Sequence, residues 1–232
     1  MTNNKDRFEK ISNNYGELFS EVWAIQGRDQ AQLEKSLFDN VSKIDSDFRN
    51  KSILDIGIGD GVSSRSFVEA GCKNVTGIDL NQEMLDASKQ KFGDAVRLIK
   101  MDATDMSTFA TGDFSIVVSG ATIHNITKVE REKVWKEVLR LRPALFVCAD
   151  KIKDPDQNKH KKYYQEEVDA IKKIYGEKHG LIEAEEEWLR HYEYDEREAL
   201  EVDEIVKNLG EFYDISVTSE MGMYKTVVAR RK

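Results

Sequence analysis

Ile53-Leu54-Asp55-Ile56-Gly57-Ile58-Gly59-Asp60-Gly61 is the stretch that decides how this 232-residue chain is read. Ile53 to Ile56 is apolar except for Asp55, as expected of a strand buried on both faces. Gly57, Gly59 and Gly61 then recur at alternate positions, and Val62 to Ala70 reads as a helix. The order is strand, glycine turn, helix. Glycine carries no Cβ and accepts positive φ, so such a turn lets the backbone approach a ligand closely. A helix starting near Gly61 would aim unpaired N–H groups and its positive dipole end at the same place. A nucleotide-like or carboxylate-bearing cofactor suits that environment. The G-x-G-x-G spacing differs from the G-x-G-x-x-G of pyrophosphate-binding turns, and no Gly-Lys-Ser/Thr follows to make a phosphate-cradling loop.

Downstream, Asn74 to Asp79 reads as a second short strand ending in an acid, and Asn81 caps a helix that runs to Phe92. Ala95 to Met101 gives a third strand, followed by Asp102, and Asp113 to Ser119 gives a fourth. The helix Lys128 to Leu141, with Val129, Val134, Trp135, Val138 and Leu139 on one face, leads to a fifth strand, Ala144 to Ala149, closed by Asp150. Strands alternating with helices at this interval imply βαβ units and a parallel sheet with right-handed crossovers. Ligands of such sheets bind beyond the carboxyl ends of the strands. Asp79, Asp102, Ser119 and Asp150 all stand at those ends.

Before the first strand, residues 5–25 and Gln30 to Val41 carry apolar side chains near helical spacing. From Lys151 the alternation stops, and the charged, aromatic stretch 151–198 reads as one or two helices inserted after the fifth strand. Glu201 to Leu209 resumes the core pattern through Val202, Ile205, Val206 and Leu209, and stops at Gly210. Phe212 to Thr218 and Tyr224 to Ala229 are strands joined by a short turn, so one of them must run antiparallel. The expectation is a single domain over 1–232, with the N-terminal helices of 1–45 and the helical insertion 151–198 covering cofactor and substrate.

A formal charge of -8 argues against binding nucleic acid through the overall field. Cys72 and Cys148 stand far apart in apolar surroundings and read as buried thiols of a reducing compartment. Met1 to Lys10 is polar and unlike a secretory signal, and no apolar run approaches the roughly 20 residues a membrane span needs. A cytoplasmic protein with no membrane partner is expected, as monomer or homodimer. His160, His179 and His191 lack metal-ligand spacing, so no metal is expected. Lys159-His-Lys-Lys162 with Tyr163-Tyr164 reads as a solvated helix face or, less readily, as a receiver of an anionic substrate or RNA, the latter weakened by the offsetting Glu183, Glu185, Glu186 and Glu187.

The constellation resembles the class I S-adenosylmethionine-dependent methyltransferases, small-molecule type. The motifs that carry the likeness are Asp55 with Gly57, Gly59 and Gly61, the acid Asp79 ending the second strand, and Asp102-Ala103 ending the third. Val117-Val-Ser-Gly-Ala-Thr-Ile-His124 at the fourth strand and the terminal hairpin complete it. The likeness covers residues 50–150 closely and 199–232 in architecture. Two departures stand out. Leu141-Arg-Pro-Ala-Leu145 lacks the glycines frequent before the fifth strand, and His124-Asn125 replaces a frequent His-His pair. The resemblance implies an α/β, Rossmann-like three-layer sandwich with a seven-stranded, mostly parallel sheet, an antiparallel C-terminal hairpin strand and a helical lid.

It also implies the cofactor, S-adenosyl-L-methionine, with S-adenosyl-L-homocysteine as product. By that likeness Asp55 and the Gly57–Gly61 backbone hold the methionine end, Asp79 the ribose, and Asp102 and Ala103 the adenine. Leu80 packs on the adenine face and Ser119 lines the methyl side. Phe8-x-x-Ile-x-x-x-Tyr15-Gly16 and Glu187-Trp-Leu-Arg-His191 are similar to segments that small-molecule members lay over the methionine end. Tyr15, Asp150, Trp188 and Tyr192 are accordingly expected to hold a small-molecule methyl acceptor, with His124 the candidate general base. Two other functions remain open: an RNA or tRNA methyltransferase, and a non-catalytic module that only holds the cofactor. An NAD-dependent oxidoreductase is disfavoured by the glycine spacing and the hairpin.

Overall fold

Seven strands form one sheet in the order β3-β2-β1-β4-β5-β7-β6. They are β1 (Ile53–Ile56), β2 (Val75–Asp79), β3 (Val96–Lys100), β4 (Ile116–Gly120), β5 (Leu145–Lys151), β6 (Tyr213–Met221) and β7 (Tyr224–Arg231). The first five pair in parallel, β7 runs antiparallel to β5, and β6 antiparallel to β7. This computed structural model describes residues 15–28 and 30–232. The chain divides into two compact units, Leu33–Ile152 with Leu200–Lys232, and Met1–Gln32 with Lys153–Ala199.

The first unit contains the sheet. Its helices are most of α2 (Gln30–Ile44), then α3 (Arg65–Glu69), α4 (Gln82–Phe92), α5 (Lys128–Leu141) and α8 (Val202–Leu209). Each residue of β1 is buried, and so is each of β5, which has paired strands on either side and apolar residues above and below. Asn81 caps α4, its side chain accepting from the Glu83 and Met84 N–H groups, and Thr127 caps α5 by accepting from Glu130. Trp135, Val138 and Leu141 of α5 pack with Ile205 and Leu209 of α8 and Phe146 of β5 in one apolar cluster.

Several element ends differ from expectation. β4 begins at Ile116 because Asp113 is spent on the preceding turn, where its carboxylate accepts the Ala110 N–H at 2.7 Å. β5 runs on to Lys151 because β7 pairs with it up to Tyr224. Val129 and Val206, expected on buried faces, are 76% and 45% exposed, since the stripes of α5 and α8 are narrower than their apolar residues suggested. The turn before β5 needs no glycine: Arg142 takes φ 56 at the end of α5, and Pro143 follows. A left-handed non-glycine residue costs on the order of 1 kcal/mol.

The second unit is helical: α1 (Tyr15–Ile25), α6 (Gln157–Ile171), a π-helical segment Lys172–Lys178 and α7 (Ile182–Arg197). Asp156 caps α6 by accepting from Asn158 and Lys159. Inside it Arg28 pairs with the fully buried Glu167, which also accepts the Tyr192 hydroxyl at 2.9 Å. The Trp188 ring meets those of Tyr175, His191 and Tyr192 with centroids 5.5–6.3 Å apart. The Phe8–Gly16 motif lies outside the described residues apart from the start of α1, and the side chain of Tyr15 outside them too.

Candidate active site

The turn after β1 is built by three glycines at positive φ: Gly57 at 72°, Gly59 at 54° and Gly61 at 90°. A Cβ on Gly57 would overlap the Thr122 side chain, and one on Gly61 the Phe92 ring. Gly59 is different. Nothing lies closer than 4.0 Å to where its Cβ would be, so this part of the turn faces open space. The Gly57 and Ile58 N–H groups both donate to the Ile78 carbonyl, at 2.9 and 3.0 Å, which folds the turn over the end of β2.

Beneath the turn sits Asp55, with no solvent exposure. Its Oδ2 accepts both the Ser63 and Ser64 hydroxyls, at 2.5 and 2.6 Å. Its Oδ1 is buried with no hydrogen-bond partner among the described residues. Burial pushes the carboxyl pKa up to about 6, against the pull of the two serines. Those serines also correct an expectation. The helix starts at Arg65 and not at Val62, and Ser64 at its N-cap makes no capping bond because its hydroxyl is committed to Asp55. A helix dipole aimed from Gly61 is therefore replaced by a turn pinned on a buried acid.

Asp79 ends β2, where its Oδ2 accepts the Gly59 N–H at 2.9 Å and its Oδ1 the Asn81 N–H at 2.8 Å. It thus closes the glycine turn and orders the start of α4, and burial raises its pKa. Each carboxylate oxygen keeps a further acceptor site. Leu80 beside it is 43% exposed, an apolar side chain turned to solvent. Asp102 is exposed; its Oδ1 accepts the Thr104 N–H and hydroxyl, both at 2.8 Å. Ala103 is buried and packs in the apolar cluster.

Ser119 differs from its expected role. It is fully buried, and its hydroxyl donates to the Ile56 carbonyl at 3.0 Å, so it ties β4 to β1 and has no free hydroxyl face. The loop after β4 carries His124. Ala121 is at φ 49, and the Thr122 hydroxyl lies 3.1 Å from the Gly57 carbonyl and 2.9 Å from that of Gly120. Asp150 at the end of β5 has no exposure. Its Oδ1 meets His124 Nδ1 at 2.5 Å and its Oδ2 accepts the Ile123 N–H at 2.7 Å. Asp150 therefore holds the histidine loop, and nothing of its carboxylate is left to line an acceptor pocket. The expected acceptor residues Trp188 and Tyr192 are buried in the aromatic packing of the helical unit.

Together, Asp55, the glycine turn, Asp79, Leu80, Asp102 and Ala103 lie on β1, β2 and β3 at their carboxyl ends, with His124 and Asp150 at the ends of β4 and β5. The residues a sequence reading missed are Ser63, Ser64 and Thr122. Their signal was faint: hydroxyls one turn beyond the glycines and just before His124. An open groove of about 840 Å3 along β2, β3 and α4 includes none of the expected site residues. Volume alone does not mark the site; the polar chemistry at the strand ends does.

A family model for a methyltransferase domain matches residues 53–143. Over 43 residues, 18% of this chain and 15% of the relative, the sequence is 42% identical to a ribosomal protein L11 methyltransferase of Shewanella baltica. Over 112 residues, 47% of this chain and 41% of the relative, it is 29% identical to an uncharacterized methyltransferase of Schizosaccharomyces pombe. The chain thus spans less than half of the length of either relative. Among solved structures, magnesium protoporphyrin IX methyltransferase from Synechocystis, with bound SAM, superposes with a TM-score of 0.61 at 13% identity. That match covers 100% of this chain and 92% of the other, a likeness of fold.

Proposed function

We propose that this chain, whose residues 53–143 match a model of a methyltransferase domain, is a class I S-adenosylmethionine-dependent methyltransferase that methylates a small organic acceptor. The observation that carries the reading is Asp55, fully buried under three positive-φ glycines with one carboxylate oxygen lacking a partner. A buried orphaned acceptor is costly, about 1–3 kcal/mol, unless a ligand donor meets it. The ammonium of an amino-acid cofactor end is such a donor. The remaining acceptor sites of Asp79 suit ribose hydroxyls, and exposed Leu80 offers an apolar face to adenine. Asp102 and the Ala103 N–H flank the purine edge.

The cofactor supplies an electrophilic methyl carbon on a sulfonium sulfur. What the protein supplies is position, because a nucleophile held in line near the methyl carbon needs little further help. His124 accepts a proton at Nε2 where the acceptor must lose one. The helical insertion leaves the sheet after Lys151, at the carboxyl end of β5, and returns at Leu200, which bridges to Ile152. We read that insertion, with the N-terminal helices, as a cover that excludes water from the transfer. The acceptor class is argued from charge: a formal -8 suits a small molecule better than a phosphate backbone.

Calorimetry tests the cofactor. Micromolar binding of S-adenosylmethionine and S-adenosylhomocysteine is expected, roughly 8 kcal/mol, and equal affinity for NAD would end the reading. Turnover assays then separate the alternatives, using release of S-adenosylhomocysteine with phenols, amines, thiols, carboxylates and bulk tRNA. Turnover on tRNA alone would make it an RNA enzyme; tight cofactor binding with no turnover on any class would make it a binding module.

A further inference from the structure

The contacts of Asp150 go beyond what bracing a loop requires. Its Oδ2 already fastens the loop by accepting the Ile123 N–H, and its Oδ1 accepts the Lys151 N–H at 2.7 Å. The additional bond, from His124 Nδ1 to Oδ1, adds nothing to the backbone that these two do not provide. Its effect falls on the imidazole. An ionised carboxylate only accepts, so the proton in that bond sits on Nδ1 and the lone pair of a neutral ring is left on Nε2. The Cys148 thiol, 3.8 Å from Oδ2, does not compete, because burial and the neighbouring Asp150 raise its pKa well above the usual thiol value.

The loop is also held in a conformation it would not adopt alone. Ala121 has φ 49 and is fixed there by its N–H bond to the Ala149 carbonyl at 2.8 Å. Such a residue costs on the order of 1–3 kcal/mol and persists only where its surroundings over-determine it. One residue on, Thr122 reaches the Gly57 carbonyl of the cofactor turn, so the histidine is held in register with that turn.

We propose that Asp150 is the positioning residue of a histidine–carboxylate pair that keeps His124 Nε2 basic, and that the acceptor is a molecule whose oxygen or nitrogen still carries its proton when it binds. This rests on the methyltransferase reading above. Carboxylic acids are already ionised at neutral pH and thiols partly so; neither needs such a base. Phenols, alcohols and ammonium groups do. In the transfer, Nε2 takes the proton of the acceptor heteroatom, before attack for an ammonium and during it for a hydroxyl, and an electron pair of that heteroatom forms the bond to the methyl carbon. The electron pair of the broken carbon–sulfur bond stays on the cofactor sulfur. The imidazolium so formed is stabilised by the Asp150 carboxylate and returns its proton to solvent.

Asp150→Asn is the test. Its carbonyl oxygen can still accept the Ile123 N–H, while its amide gives up the Lys151 N–H, donates to Nδ1 and forces the His124 proton onto Nε2. Nitrogen-15 NMR of the imidazole, on protein without cofactor, should show Nδ1–H in the wild type and Nε2–H in Asp150→Asn. Turnover of a phenol or amine should fall about 10²–10⁴-fold in kcat, with KM and cofactor affinity nearly unchanged. A thiol acceptor should lose far less. Should Asp150→Asn fail to fold, His124→Gln removes the base and leaves the Ile123–Asp150 bond, with the same loss expected. Nε2–H in the wild type, or undiminished kcat in either folded variant, overturns the proposal. Failure of the wild type to bind S-adenosylmethionine would instead overturn the methyltransferase reading, and the tautomer of His124 would still report on the pair.

Discussion

Asp55 places a carboxyl where charge is expensive. Its pKa is raised from 3.8 to about 6, chiefly by burial, with Asp79 adding to the rise. A raised pKa means the fold prefers the protonated form. That contribution to stability is fully present below about pH 4 and is lost as pH rises through about 6, a loss on the order of 3 kcal/mol by pH 7. Comparing wild type with Asp55→Asn isolates the effect from other carboxylates. In denaturant melts between pH 4 and 7, the wild type should lose stability that the variant keeps. A cation bound at Oδ1 offsets this loss, so cofactor affinity should tighten from pH 5 to 7.5 in the wild type and less in the variant. Equal pH profiles would show that Asp55 meets no cation. Asp79 is a second case. Replacing it by Ala removes acceptors for two hydroxyls and the clasp on Gly59, and should weaken S-adenosylmethionine binding by about 1.5–3 kcal/mol, read by calorimetry. These acids were legible in the sequence because strand ends announce themselves. Ser63 and Ser64 were not, since a serine's partner depends on a chain path that no periodicity encodes.

At the level of elements, the glycine turn and the loop after β4 act as one piece. Gly57 has no room for a Cβ against Thr122, and Thr122 bonds back to the Gly57 carbonyl. Gly57→Ala therefore combines an overlap with a left-handed φ, and should destabilise the protein by roughly 2–4 kcal/mol. It should also displace the His124 loop. A thermal melt within 2 °C of wild type would mean that the two segments yield independently. The strand–helix alternation and the hairpin were read correctly, because buried parallel strands are nearly continuous apolar runs. The short α3 was misjudged, since Val62 mimicked a helical start while the serines after it were drawn to Asp55. Ser119 was misjudged for a related reason. Sequence places a residue at a strand end but does not tell which neighbouring carbonyl its hydroxyl finds; here it is Ile56.

Over the whole molecule, the sequence distinguished a regular α/β part from a charged insertion, and the contacts divide the chain along nearly the same lines. The N-terminal segment was legible only as helical; that its described residues cluster with Lys153–Ala199 depends on partners such as Arg28 and Glu167, 139 residues apart. The helical unit has its own aromatic packing and its own buried ion pair. If it is the cover, cofactor binding should reduce its opening. Amide exchange of residues 15–28 and 153–199 should then slow by up to about a hundredfold with saturating S-adenosylhomocysteine, alongside protection of residues 53–105. Binding linkage sets the scale, because ligand at 100 times its Kd stabilises whatever must open for release by about 2.7 kcal/mol, roughly a hundredfold in exchange. Arg28→Ala leaves the buried Glu167 carboxylate without its guanidinium and should abolish the slowing in the helical unit while leaving that of 53–105 intact. Protection confined to 53–105 in the wild type would show that the insertion is no lid.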